Sequence, residues 1–256
     1  MRFGACNPYT NIPLLKENGY DYIEIAFVTL AGMSKEEFKD CYKTVEKHEF
    51  LAESFNGFFP GEMKLVGENV DFNAIRDHAR HGFSRAFEIG GKVAVVGSGK
   101  ARNIPEGFDR NKAEEQFAEV LKICGEEAGK VGMEIVIEPL QAKETNLINT
   151  VAEGLEFVKK VNHEKVSCLV DFFHVFKSGE TLETIENSNG GINHVHLARA
   201  NLDRKIPDID DLEICKSWAN ALKKCGYDKR LSLEGAFLPD VETAIKGVKP
   251  ILDLFR

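Results

Sequence analysis

The most informative segment of the chain is residues 134–139, Glu-Ile-Val-Ile-Glu-Pro. Its three consecutive β-branched residues are typical of a short strand that is buried on both faces. Pro139 cannot continue the hydrogen-bond ladder of a sheet, so we expect the strand to end at Glu138. A carboxylate buried at a strand end is unfavourable unless a cation receives it. The segment therefore predicts a buried strand whose terminal acid has a positive partner.

Short runs rich in Val, Ile, Leu and Phe recur along the chain and alternate with longer segments of helical periodicity. Eight strand–helix pairs in 256 residues match a closed parallel (β/α)8 TIM barrel, which is typically about 250 residues long. A flat doubly wound sheet is the alternative. No linker or low-complexity tract breaks the alternation, so we predict one domain over residues 1–256. The predicted strands are 2–6, 21–27, 49–55, 92–97, 133–138, 166–171, 193–198 and 230–234, and the predicted helices are 34–47, 71–89, 109–130, 149–161, 180–187, 211–224 and 239–254.

Composition and charge argue against several classes of protein. With 41 acidic and 33 basic residues the net charge is −8, whereas binding to nucleic acid needs a positive face. No apolar run approaches the roughly 18 residues of a membrane span. The N-terminal residues lack the charged and apolar regions of a signal peptide. The six cysteines include no C-x-x-C pair and are interpreted as thiols of a reducing compartment rather than three disulfides, so we expect a cytoplasmic protein.

Four consecutive predicted strands each provide an acid or a histidine at the same end. These residues are Glu138, Asp171, His196 and Glu234. In a TIM barrel the active residues lie at the C-terminal ends of the strands, so we expect the four side chains to converge. Another acid, Glu24, lies one step deeper in its strand.

Three carboxylates and one imidazole form a ligand set that suits Mn²⁺, Mg²⁺ or Co²⁺ better than a structural zinc ion, and of these we predict Mn²⁺. Carboxylates ~4 Å apart repel by about 4 kcal/mol per pair at an effective dielectric constant of 20, which a divalent ion would relieve. The alternative is that each acid is paired with its own Arg or Lys. His194 shares a strand face with His196 and is either a neighbour of the site or a packed core residue.

Two residues beyond the strand ends are candidates for contact with a substrate. His174 lies three residues after Asp171, just past the strand. Glu144 lies six residues after Glu138 in the following loop. It either bonds a substrate hydroxyl or is a solvated loop acid.

Two loops at the same end of the barrel offer further candidates. Asn56 lies in the aromatic-rich loop 53–61, which either contacts a substrate or caps the core. The glycine-rich segment 97–102 lacks the spacing of a dinucleotide or phosphate loop. Its Arg102 either binds a substrate anion at the barrel mouth or is a solvated loop residue.

Several motifs at the strand ends occur together in one family. They are Ile-Glu138-Pro-Leu, Val-Asp171-Phe-Phe-His174, His194-Val-His196-Leu-Ala and Leu-Glu234, together with the Glu138–Glu144 spacing and Gly19-Tyr-Asp-Tyr-Ile-Glu24. With these motifs the sequence resembles the xylose isomerase-like TIM-barrel superfamily. Within it, the sequence is similar to the sugar isomerase/epimerase group that includes the ketose 3-epimerases. The resemblance covers essentially the whole chain.

The resemblance implies a mechanism with two metal-bound glutamates, Glu138 and Glu234. One removes a carbon-bound proton next to the ketose carbonyl, and the other returns a proton on the opposite face. A metal that contacts the carbonyl and a neighbouring hydroxyl would stabilise the enediolate that forms. The resemblance implies that Asp171 and His196 are ligands only, and that His174 and Glu144 contact substrate.

The sequence departs from the ketose 3-epimerases at one position. Those enzymes carry a substrate-binding arginine six residues after the metal-binding histidine, where this chain has Leu202. Arg199 and Arg204 flank that position, and the loop could present either one to a substrate.

We predict a divalent-metal-dependent sugar or sugar-phosphate isomerase or epimerase whose partner is a small carbohydrate. The alternatives are a hydroxypyruvate-type isomerase, a sugar dehydratase or lyase on the same site, and a non-catalytic metal- and sugar-binding subunit. An abasic-site endonuclease shares the fold but needs more histidines and a basic face. A homodimer and a homotetramer are both open as the oligomeric state.

Overall fold

The structure, a computed structural model, describes residues 1–199 and 204–256. Eight parallel strands form one closed barrel in which each strand pairs with the next and β1 pairs with β8. The prediction of a (β/α)8 TIM barrel is therefore confirmed, and the flat sheet is excluded. The strands are β1 (Arg2–Cys6), β2 (Tyr22–Ala26), β3 (Ala52–Asn56), β4 (Val93–Val96), β5 (Glu134–Ile137), β6 (Val166–Asp171), β7 (Ile192–Leu197) and β8 (Arg230–Leu233).

Helices connect the strands on the outside of the barrel. A capping box begins the helix that was predicted over 34–47, since the Ser34 side chain accepts from the amide of Glu37 and the Glu37 carboxylate accepts from the amide of Ser34. The helices are α1 (Ile12–Glu17), α2 (Phe27–Gly32), α3 (Lys35–His48), α4 (Phe72–Glu88), α5 (Arg110–Lys130), α6 (Val151–Val161), α7 (Phe172–Ser178), α8 (Glu183–Glu186), α9 (Leu212–Lys224), α10 (Val241–Gly247) and α11 (Lys249–Leu252).

Two predicted helices differ from the structure. The helix predicted over 180–187 is reduced to α8, because α7 precedes it and ends at Gly179 in the left-handed conformation with φ of 68°. The helix predicted over 239–254 is divided between α10 and α11. Pro250 lies at the start of α11, and its missing amide hydrogen prevents one continuous helix.

The interior of the barrel contains polar residues as well as an apolar layer. Four residues of β4, β5 and β6 form a small apolar cluster that is separate from the main core: Val93, Val95, Val136 and Leu169. The alternation of side chains along β5 and β6 places Glu138 and Asp171 on the same face as this cluster. Glu138 and Asp171 therefore lie above this small apolar cluster.

No helix in the described part of the chain is long and apolar enough to cross a membrane. The six cysteines, all of which belong to that part, are free thiols. The cytoplasmic location and the oligomeric state stay predictions.

Candidate metal and substrate site

Four side chains converge at the C-terminal end of the barrel. Glu138, Asp171, His196 and Glu234 each offer one potential ligand atom, and these atoms all lie within 4.8 Å of one another. We call these four residues the ligand cluster. The Asp171 and His196 side chains are fully buried, whereas Glu138 is 8% and Glu234 is 18% exposed. The cluster is therefore closed from below and accessible from the mouth of the barrel.

Hydrogen bonds to the backbone position three of these residues. Glu138 directly follows β5 and Glu234 directly follows β8, and each amide donates to the neighbouring strand, at 3.2 and 3.1 Å. Asp171 is the N-cap residue of α7, since its Oδ1 accepts from the amide of Phe173 at 2.8 Å. This bond occupies Oδ1 and leaves Oδ2 to face the cluster.

His196 faces the ligand cluster through its Nδ1 atom. Nδ1 lies 2.9 Å from Glu234 Oε2 and 3.4 Å from Glu138 Oε1. The other ring nitrogen, Nε2, lies 2.9 Å from Oε1 of Glu24. Because carboxylates can only accept, the ring carries a proton on both nitrogens in this arrangement. Burial acts to lower the pKa of His196, but Glu234, Glu24 and Glu138 raise it well above its usual value. A metal ion would replace the proton on Nδ1, whereas Glu24 would keep the proton on Nε2.

Glu24 lies on β2 and bonds two histidines inside the barrel. Its Oε2 is 2.9 Å from Nε2 of His194, which also lies 3.1 Å from the hydroxyl of Ser54. The side chains of Glu24, His194 and Ser54 are all fully buried. Burial acts to raise the pKa of Glu24, but the two histidines hold it well below its usual value. Of the two interpretations of His194, the structure favours the neighbour of the site.

The two glutamates of the ligand cluster have unlike electrostatic surroundings. Burial and the negative charge of Glu234 raise the pKa of Glu138. Burial also acts to raise the pKa of Glu234, but the positive charges of His196 and Arg204 outweigh it and hold this pKa well below its usual value. Two carboxyl groups whose pKa values are pushed apart are typical of an acid–base pair.

Arg204 reaches into the cluster from the loop that follows β7. Its Nη2 atom donates to Asp171 Oδ2 at 2.6 Å and to Glu234 Oε2, and lies 3.8 Å from Glu138 Oε1. Of the two arginines between which the sequence could not choose, Arg204 is therefore the one that meets the site. Arg199 instead bonds Asp208 and Asp211 at 2.9 and 3.1 Å.

His174 lies beside the ligand cluster, at the start of α7. Its Nδ1 accepts from the amide of Gln141 at 3.1 Å, which leaves the proton of the neutral ring on Nε2. Nε2 is buried, lies 3.7 Å from Asp171 Oδ2 and has no hydrogen-bond partner within the described ranges. Burial lowers the pKa of His174, which favours this neutral form. The ring therefore offers a spare N–H donor at the site.

Asn56 and Glu144 differ in their distance from the ligand cluster. Asn56 ends β3, and its Nδ2 donates to Glu234 Oε1 at 2.9 Å. Glu144 is exposed in the loop after β5, where its carboxylate accepts from the Gln141 side chain at 2.8 Å. Asn56 thus orients a member of the cluster, while Glu144 lies further out.

The prediction that Arg102 binds a substrate anion is wrong. Its side chain is fully buried, and its Nη2 donates to the carbonyl of Glu138 at 2.7 Å. Further bonds of 3.4 and 3.5 Å reach the carbonyls of Val96 and Ile148, and the guanidinium lies 5.6 Å from the ring centre of Phe117. Arg102 therefore joins the loops after β4 and β5 and supports the backbone of Glu138.

Comparison with known proteins identifies the family. Residues 12–249 match the family model described as the xylose isomerase-like TIM barrel. This chain belongs to that family. The predicted resemblance is confirmed, and the ligand cluster lies within the matched range.

Two curated enzymes are among the proteins that this chain resembles in sequence. A D-psicose 3-epimerase of Ruminiclostridium cellulolyticum is 30% identical over 137 residues, which are 52% of this chain and 43% of that enzyme. A 2-oxo-tetronate isomerase of Pectobacterium atrosepticum is 28% identical over 98 residues, 37% of each chain. The matched segments thus span less than half the length of these curated relatives.

A solved structure shows the same fold over almost the whole chain. The D-psicose 3-epimerase of Clostridium cellulolyticum H10 with D-tagatose superposes with a TM-score of 0.78 at 20% identity, covering 99% of this chain and 92% of that one. This likeness supports the fold alone. Leu202, where the sequence departs from the arginine of the 3-epimerases, lies outside the described residues.

Replacing the aspartate of the ligand cluster tests its role directly. We expect Asp171→Asn to weaken Mn²⁺ binding by more than about a hundredfold, because the amide removes a negative charge from the ligand set while still capping α7. Titration calorimetry measures the affinity. Asp71→Asn is the matched control, since Asp71 caps α4 away from the cluster, and should bind Mn²⁺ as the wild type does. An unchanged affinity in Asp171→Asn would remove Asp171 from the ligands.

Replacing Glu24 tests whether it sets the tautomer of His196. We expect Glu24→Gln to weaken Mn²⁺ binding roughly 10- to 100-fold, because one amide cannot accept from both histidines. A His196 ring that loses this acceptor can carry its proton on Nδ1, the atom that faces the cluster. Ser54→Ala is the control, because it removes a partner of His194 alone. Equal affinities in Glu24→Gln and the wild type would contradict the role.

Proposed function

We propose that this chain is a divalent-metal-dependent sugar or sugar-phosphate isomerase or epimerase that removes a proton next to a carbonyl through an enediolate. The observation that carries the proposal is the ligand cluster itself. Three carboxylates and one imidazole nitrogen lie within 4.8 Å at the mouth of a closed barrel. The curated 3-epimerase relative supports the same class of reaction and a small carbohydrate as substrate.

The donor atoms of the ligand cluster fit a divalent ion. Hard carboxylate oxygens with one imidazole suit Mn²⁺, Mg²⁺ or Co²⁺, and we propose Mn²⁺. Glu138, Asp171, His196 and Glu234 would hold it. When bound, the ion would supply Lewis-acid stabilisation of negative charge that develops on the substrate oxygens.

The two glutamates are proposed as the acid and base. Glu138 follows β5 and Glu234 follows β8, so two strands, β6 and β7, lie between these two residues around the barrel. A substrate between them would present opposite faces to the two carboxylates. One would remove the carbon-bound proton and the other would return a proton on the second face. Asp171 and His196, both fully buried, would act as ligands only.

Other residues of the site would hold the substrate. The Nε2–H group of His174 is a buried donor at the edge of the cluster and would bond a substrate oxygen. Asn56 would orient the Glu234 carboxylate through its bond to Oε1. Glu144 would accept a hydrogen bond from a substrate hydroxyl at the mouth. Arg204, the cation that reaches the cluster, would favour oxygen-rich or anionic substrate groups.

Solvent hydrogen exchange tests the proposal whatever the product is. The chain is incubated in deuterated water with Mn²⁺ and a panel of free ketoses, ketose phosphates and 2-keto acids. The keto acids are included because a relative is a 2-oxo-tetronate isomerase. We expect deuterium to enter the carbon next to the carbonyl of at least one compound, measured by NMR and mass spectrometry.

The outcome without exchange is equally informative. Tight Mn²⁺ binding with no deuterium uptake across the panel would contradict catalysis and favour the non-catalytic metal- and sugar-binding subunit. Exchange that persists unchanged after treatment with a chelator would contradict the metal dependence. Exchange that is lost with chelator and restored by Mn²⁺ supports both parts of the proposal.

A further inference from the structure

The Arg204 guanidinium lies among the same oxygen atoms that a metal ion would use. A single nitrogen, Nη2, donates to Asp171 Oδ2 at 2.6 Å and to Glu234 Oε2, and lies 3.8 Å from Glu138 Oε1. Three of the four members of the ligand cluster thus direct an oxygen toward this nitrogen. Arg204 is therefore more than a neighbour of the cluster.

A divalent ion and this guanidinium exclude each other. Carboxylate oxygens bind Mg²⁺ or Ca²⁺ at roughly 2.0–2.6 Å, so an ion held by Asp171 Oδ2 and Glu234 Oε2 needs the space that Nη2 fills. Two cations at that separation would also repel strongly. Resting on the function proposed above, we propose that Arg204 competes with the divalent ion for the ligand cluster and must leave it when the ion binds.

The surroundings of Arg204 allow its side chain to move while its backbone stays. The Arg204 carbonyl accepts from the amide of Ala236 at 2.8 Å, and residue 205 pairs with the same residue in a parallel bridge. A Cβ atom at Gly235 would lie 2.4 Å from the Arg204 carbonyl oxygen, so the two loops are in close contact. The side chain, in contrast, is 28% exposed. We therefore expect the side chain rather than the backbone to move when a metal ion binds.

The Arg204 guanidinium also contacts an aromatic ring in the position that it takes among the carboxylates. The Cζ atom of Arg204 lies 5.1 Å from the ring centre of Phe173, within the range of a cation–π contact. This contact contributes to the stability of the position that the guanidinium takes in the ligand cluster, with which a metal ion has to compete.

The competition has two measurable consequences. A competitor that occupies the cluster in about 90–99% of molecules weakens the apparent metal affinity about ten- to a hundredfold. The same guanidinium neutralises carboxylates that otherwise repel one another, so it stabilises the fold when metal is withheld. Removing Arg204 should therefore strengthen metal binding and weaken the metal-stripped protein at the same time.

The test compares the full chain with Arg204→Gln after both are stripped with EDTA. We expect Arg204→Gln to bind Mn²⁺ at least about tenfold more tightly by titration calorimetry. We also expect its thermal midpoint to fall below that of the wild type in EDTA and to match it in saturating Mn²⁺.

A charge control separates competition from general repulsion. Lys177→Gln removes a positive charge next to the same Phe173 ring, 5.3 Å from its centre, and should change the Mn²⁺ affinity less than twofold. If Arg204→Gln is poorly folded in EDTA, Arg204→Lys keeps the charge and should give an intermediate affinity.

Equal affinity and equal EDTA stability in Arg204→Gln and the wild type would overturn the inference and leave the proposed function intact. Absence of Mn²⁺, Mg²⁺ and Co²⁺ binding by both proteins would overturn the proposed function and the inference together.

Discussion

Glu138→Gln and Glu234→Gln are each expected to lower epimerisation by about a thousandfold or more, because general acid–base catalysis contributes roughly 10²–10⁴-fold. Each amide keeps an oxygen for the metal but cannot take a carbon-bound proton. In a two-base reaction each variant loses inversion in both directions. The remaining glutamate can still remove a proton from the epimer that faces it and return one to the same side.

This reasoning gives the two variants complementary exchange patterns. Glu138→Gln should exchange deuterium into one epimer without inversion, and Glu234→Gln should do so with the other. Both are assayed at saturating Mn²⁺, with metal content measured in parallel, so that lost ligation is distinguished from lost proton transfer. Glu134→Gln is the matched control: it makes the same change at the opposite end of β5, where Glu134 bonds Asn193, and should keep full activity. More than a tenth of the wild-type inversion rate in either cluster variant would exclude the two-base mechanism.

The strand ends were predictable because their signal is local. A short β-branched run stops at a residue that cannot extend a sheet, as at Glu138 before Pro139, and parallel strands bring such ends together. The sequence alone therefore places Glu138, Asp171, His196 and Glu234 at one end of the barrel. The structure brings their ligand atoms within 4.8 Å.

The residues that contact the ligand cluster were harder to predict because their partners are distant in sequence. Glu24 stands in the middle of an apolar strand, which signals a buried charge that needs a partner. Its partners, His194 and His196, lie 170 and 172 residues away. The choice between Arg199 and Arg204 depends on how a loop folds, and nothing local distinguishes the two residues.

Two further differences from the sequence-based predictions have separate causes. Arg102 follows glycine and lysine in a segment that is typical of a solvated loop, but its side chain turns inward to backbone carbonyls that only the folded barrel provides. The aromatic run Phe172–Phe176 has no helical periodicity, and α7 begins there with Asp171 as its N-cap residue, whose side chain accepts from the amide of Phe173. At Arg102 tertiary contacts override the local pattern, whereas at α7 a local cap does so.

Gly97→Ala is expected to lower the rate of exchange or epimerisation about a hundredfold or more while leaving the fold intact. Gly97 follows β4 next to Glu138, and a Cβ atom there would lie 2.2 Å from Glu138 Oε2. That contact is far inside van der Waals distance, so the carboxylate must move by about 1 Å, and a displacement of that size can reduce a rate 10²-fold. The carboxylate is the free end of a side chain, so the backbone need not shift.

Gly97 in the glycine-rich segment thus leaves space for the Glu138 carboxylate, a role that the sequence pattern does not reveal. The left-handed backbone in this loop belongs to Ser98, with φ of 39°, while Gly97 has no such requirement and serves only close approach. Gly32→Ala is the matched control, because a Cβ atom at Gly32 would meet nothing within 4 Å. We expect Gly97→Ala to lose Mn²⁺ affinity and activity with a thermal midpoint near that of Gly32→Ala. Wild-type activity in Gly97→Ala would mean that the position of the Glu138 carboxylate does not limit the reaction.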